Sequence, residues 1–77
     1  MEQGKWLDLS SEEYREYIYE GGETFRIELP TAINIAASSM GGHSHRIKTA
    51  AGEGIYVAPG WIAIKWKPKA GAAIFSF

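Results

Sequence analysis

Seventy-seven residues leave room for one small domain spanning 1–77. With 45% hydrophobic residues the composition is globular, and the absence of cysteine removes disulfides, zinc ribbons and thiol chemistry together. The net charge of −1 argues against a strongly basic nucleic-acid binder, but it conceals an asymmetry: residues 1–42 carry eight acids and three bases, residues 43–77 one acid and five bases.

The N-terminal stretch "MEQGKWLDLSSEE" is polar and acidic where a signal peptide needs an apolar run. An unstapled chain this short suits a reducing compartment, so a cytoplasmic location is expected. Ser10, with Glu13 three residues on, matches a capping box and predicts a short helix over about 11–16. A longer helix reaching Tyr19 is the alternative. Gly21-Gly22 ends either one, and "REYIYEGGETFRIEL" also reads as a hairpin with alternating arms.

Beyond Pro30 the pattern is β throughout. "AINIAAS" alternates, and "HRIKT" and "GIYVA" flank "AAGE" as a second hairpin. Pro59-Gly60 is a turn pair. In "WIAIKWK" strict alternation puts Ile62, Ile64 and Trp66 on one face, and Trp61, Ala63 and Lys65 on the other. "AAIFSF" forms a last strand whose Ile74, Phe75 and Phe77 are expected to sit in a subunit interface or a core. The fold class expected is mainly β: a small single-domain barrel or sandwich of about 5–7 short strands with one N-terminal helix. No stretch predicts a membrane span; the longest uncharged one, Leu29 to Ser44, is broken by Pro30, Asn34 and serines.

The chemistry concentrates in "GGHSHR". His43 and His45 share a strand face at about 7 Å between Cα atoms, close enough for two imidazoles to reach one metal. His-x-His resembles the first cupin motif, and part of "GEGIYVAPGW" resembles the strand and turn of the second. The resemblance covers residues 41–61 and implies His43 and His45 as metal ligands. It departs from the pattern at Thr49, near where a Glu is expected, and it lacks the third His. Against it stand a loop whose imidazoles bond backbone or face solvent, and a phosphate or anion contact. "GGHSHRI" with "VAPGWIAIKWKPK" also looks similar to short proteins of tailed phages and environmental sequence sets, from which no function carries over.

Both double glycines read as turns, since neither has the lysine or the context of a phosphate loop. Ser44 lies between two histidines, but strand neighbours point to opposite faces, so neither serves it as a base. No catalytic residue and no cofactor are implied. "WIAIKWKPK" interleaves rings and cations as single-strand platforms do, making Trp61, Lys65, Lys67 and Lys69 a candidate binding surface. The charge asymmetry has three readings: two halves neutralising each other within one fold, a basic face for phosphates, or acidic and basic faces of neighbouring subunits. The function expected is a non-enzymatic structural or binding protein that forms a homo-oligomer. A small-barrel nucleic-acid binder is second and a metal-binding cupin-like protein third.

Overall fold

A computed structural model describes residues 5–37, 39 and 41–70. Among these residues are seven strands: β1 (Trp6–Asp8), β2 (Glu12–Tyr19), β3 (Thr24–Glu28), β4 (Pro30–Ala37), β5 (His43–Thr49), β6 (Gly54–Val57) and β7 (Trp61–Pro68). All pairs are antiparallel, in one four-stranded sheet of order β1-β4-β5-β6 and one three-stranded sheet of order β3-β2-β7. The sheets face each other across a shared core. Tyr17 and Ile27 enter it from the three-stranded sheet, and Ile33, Ile47 and Val57 from the four-stranded one. Leu9, between β1 and β2, completes it.

Three expectations are corrected. The first is the helix over 11–16, which is replaced by β2. The capping signals instead build a turn: the Ser10 N–H donates to Asp8 Oδ1 (3.0 Å) and the Glu12 N–H to the Leu9 carbonyl (3.0 Å). The rest of "EEYREYIY" alternates with period two and finds a strand on each side, so tertiary pairing overrides a local cap signal. Among the described residues there is no helix, hence none long and apolar enough to cross a membrane.

The second correction is the closed small barrel. The strands divide into two open sheets, because Pro59-Gly60 carries the chain from β6 to β7 without a ladder between them. The chain also crosses between sheets from β1 to β2 and, at Leu29, from β3 to β4. Leu29 has a φ of 49°, the only positive value at a non-glycine residue among those described. Its N–H donates to the Glu13 carbonyl of β2 and its carbonyl accepts from the Ala50 N–H that follows β5, both at 2.9 Å. One residue is thereby pinned to both sheets.

Both hairpins form as read. β2 and β3 close through the Tyr19 N–H to the Glu23 carbonyl (2.8 Å), with Gly21 and Gly22 at φ 96° and 94°. β5 and β6 close through the Thr49 N–H to the Glu53 carbonyl (3.0 Å). The alternation expected for β7 fails. The ladder pairs Ile18 with Ala63 but Tyr19 with Trp61, so Ile62 is an extra bulged residue. Trp61 and Ile64 therefore both turn to the core, while Ile62 is 67% exposed. The segment carrying Ile74, Phe75 and Phe77 lies outside the described residues.

The outer face of the three-stranded sheet explains the charge asymmetry locally. Lys65 meets Glu16 (3.7 Å) and Lys67 meets Glu13 (3.8 Å), bases of the second half on acids of the first. Arg26 pairs with Glu28 and stacks over Tyr14, 3.7 Å from its ring centre.

Candidate functional site

Two β-bulges assemble the site. The first lies in β2, where Glu12 pairs with Pro68 but Tyr14 with Lys67, leaving Glu13 extra. Residues three apart on a regular strand face opposite sides. The bulge returns Glu12 to the side of Arg15, and the two meet in a bidentate pair, Nε to Oε1 at 3.0 Å and Nη2 to Oε2 at 2.9 Å. Both side chains are mostly buried, which makes pairing obligatory for each. The second bulge, at Ile62, aims the Trp61 indole inward.

Arg15 continues the chain of contacts. Its Nη1 donates to the Tyr17 hydroxyl oxygen (3.3 Å), and Tyr17 Oη lies 2.6 Å from His45 Nδ1. A guanidinium has no acceptor, so Tyr17 receives on its oxygen and has its own proton left to give. Among the described contacts His45 Nδ1 is the acceptor within its reach, so we assign the proton to that bond. This assignment makes the imidazole neutral, with its hydrogen on Nε2. Burial, then the nearby Arg15 and His43, push the His45 pKa down to about 4, in line with a ring that stays uncharged. Burial raises the Tyr17 hydroxyl above its ordinary value, keeping it a donor. Burial works against the Arg15 cation, but its bonds to Glu12 and Tyr17 outweigh that, and its pKa is raised.

The rings pack as a unit. Tyr17 is fully buried. Its centroid lies 5.0 Å from Trp61 and 5.5 Å from His45 in edge-on contacts, and His45 lies 4.6 Å from Trp61. In front of them opens a cleft of about 390 Å³ lined by Ile35, His43, His45, Pro59, Trp61 and Ile64, with Gly42 and Gly60 at its rim. Gly42 has a φ of 73°, and a Cβ there would stand 3.3 Å from Pro59 Cβ. A glycine thus lets the loop before β5 close on the Pro59 turn and form the cleft wall.

Of the residues singled out from sequence, His43, His45 and Trp61 come together here. Lys65 and Lys67 do not; they lie on the outer face in ion pairs with Glu16 and Glu13. Lys69 follows β7, where its N–H donates to the Ser11 carbonyl (2.8 Å). Among the described residues no group of three or more His, Cys, Asp or Glu gathers. Ser44 is buried, and its hydroxyl donates to the Ala36 carbonyl (3.5 Å) rather than to either histidine.

Glu12, Arg15 and Tyr17 are the residues sequence reading missed. The signal was the alternation of Arg15, Tyr17 and Tyr19, which the capping box concealed. No protein-family model, no curated protein and no solved structure matches the chain.

Proposed function

We propose that the protein is a non-enzymatic binding module that works through the cleft between its sheets. The observation carrying this reading is the buried chain Glu12–Arg15–Tyr17–His45. Four polar side chains inside a small core are costly unless each is satisfied, and these bond one another in series. Its effect is to hold the His45 imidazole in a fixed orientation at the wall of a mainly apolar cleft that also contains His43, with a tryptophan beside it. A few fixed polar groups in an apolar recess are the usual make-up of a small-ligand site. The test is a small-fragment screen followed by amide and indole NMR. The reading requires perturbations that cluster on Ile35, His43, His45 and Trp61 and vanish in Trp61→Ala. Hits scattered over the outer faces would overturn it.

Self-association in the cytoplasm belongs to the same proposal. The open sheets leave edges at β1, β3, β6 and β7 among the described strands, and Trp6, Phe25, Tyr56 and Ile62 are exposed. Light scattering at about 100 μM should give more than a monomer mass.

A second reading, binding of single-stranded nucleic acid, is favoured by an observation on the four-stranded sheet rather than on β7. Trp6, Arg46 and Tyr56 lie in one row across its outer face, with the buried Asn34 between the first two, and Lys48 Nζ lies 4.4 Å over the Trp6 ring. Rings beside cations suit stacked bases and phosphates. Salt-dependent binding of an oligothymidine lost in Trp6→Ala but kept in Lys67→Glu would favour this reading over the first.

A further inference from the structure

We propose that the cleft takes a planar apolar group bearing a carboxylate, held by a hydrogen bond from His45 Nε2–H and by the face of Trp61. This rests on the reading of the cleft as a binding site and adds the chemistry of its occupant.

The first argument is direction. Every hydrogen bond in the chain behind His45 runs one way: Arg15 gives to Glu12 and to Tyr17, and Tyr17 gives to His45 Nδ1. Were His45 Nδ1 the donor instead, the Tyr17 oxygen would accept from both sides, and its buried hydroxyl proton would have no acceptor among the described contacts. With Nδ1 engaged by Tyr17, Nε2 on the opposite edge of the ring remains for an occupant, and it offers a proton. The occupant must therefore present an acceptor.

The second argument is charge. Among the described residues the cleft lining contains no carboxylate, so an ammonium group would meet no counter-charge from them. The buried ion pair behind the site is oriented. Arg15 turns Nη1 toward Tyr17, while Nε and Nη2 face Glu12, so the positive end lies nearer His45. His43 adds a second nitrogen-bearing ring to the lining. Anions are favoured over neutral acceptors by this arrangement.

The third argument is shape. A volume of about 390 Å³ sits near the lower end of the roughly 300–1,000 Å³ usual for small-molecule sites. Ile35, Pro59, Ile64 and the Trp61 ring make the walls, which suits one flat ring rather than a sugar or a polyphosphate.

The experiment titrates the full chain at pH 7 with benzoate, benzamide, benzylamine and indole, observing the His45 and Trp61 side-chain resonances. The proposal expects saturable shifts in the order benzoate, then benzamide, with none from benzylamine. In His45→Asn, whose side-chain oxygen still accepts from Tyr17 but which has no donor in place of Nε2–H, benzoate affinity should fall about tenfold or more. Benzylamine or indole binding as well as benzoate would overturn the carboxylate assignment and leave the cleft as a binding site. No probe reaching His45 or Trp61 would overturn both. Should His45→Asn fail to fold, the ligand series on the unmodified chain decides.

Discussion

The Tyr17 hydroxyl, on the central strand of one sheet, lies 2.6 Å from His45 Nδ1 on the other. The two residues are 28 apart in sequence, and their bond is a side-chain link between sheets whose facing core residues are mostly apolar. It joins the stability of the fold to the state of the imidazole at the cleft.

Tyr17→Phe tests that link. The ring still fills the core, but Arg15 loses an acceptor and His45 Nδ1 loses its donor. Leaving buried polar groups unmatched costs about 1–3 kcal/mol. Urea denaturation should show a lower midpoint with an unchanged slope, since the surface exposed on unfolding is the same. A midpoint equal to that of the parent chain would contradict the hydrogen-bond chain.

Glu12→Ala should be worse. It strands the Arg15 cation in a nearly buried position, where breaking an ion pair from one side costs about 3–5 kcal/mol. A domain this small often has only about 5 kcal/mol in total. The variant is expected to be largely unfolded at 25 °C by circular dichroism. The double replacement of Glu12 and Arg15 by apolar residues should recover much of the loss.

Acid dependence follows from His45. Its pKa is about 4 in the fold against an ordinary value of 6.5, so the unfolded chain binds the proton more readily. Stability is unaffected by this group above about 6.5, falls as the pH drops from there to about 4, and levels off below. Glu12, through Arg15, and Tyr17 are the other titratable groups on the chain behind it, and His43 stands beside it. Denaturation midpoints at several pH values in that window should decline in the parent chain and stay flatter in His45→Asn. Parallel slopes would remove His45 as the cause.

Leu29→Gly is expected to stabilise. At φ 49° a leucine carries the left-handed penalty of roughly 1–2 kcal/mol, and glycine returns part of it through its greater unfolded-state freedom. Leu29 is 44% exposed, so little burial is lost. A net gain of about 0.5–1 kcal/mol should appear as a higher melting temperature. A fall would mean that the side chain packs more tightly than its exposure indicates.

Much of the fold was legible because alternation and turn chemistry are local. Gly21-Gly22, "AAGE" and Pro59-Gly60 act where they stand and mark off the strands beside them, whereas β1, with no such signal, was not foreseen. The same locality misled at Ser10, where a side chain able to cap a helix serves a turn. Whether the next eight residues coil or extend was decided by β3 and β7. Bulges were invisible for a related reason. An extra residue is defined by the partner strand, so nothing within "WIAIKWK" announces that Ile62 is skipped and Trp61 turned inward. His43, His45 and Trp61 were found from their chemistry alone. Arg15 and Glu12 were not, because a bulge brings them to one side and the sequence gives no register.

The central claim is that His45 is neutral at pH 7 with its proton on Nε2, fixed there by Tyr17. Long-range nitrogen–proton correlation spectra of the two imidazoles read this directly. The account predicts a single Nε2–H tautomer for His45, its Nδ1 accepting, which becomes a tautomer mixture in Tyr17→Phe. A His45 ring protonated on both nitrogens at pH 7, or bearing its proton on Nδ1, would contradict it.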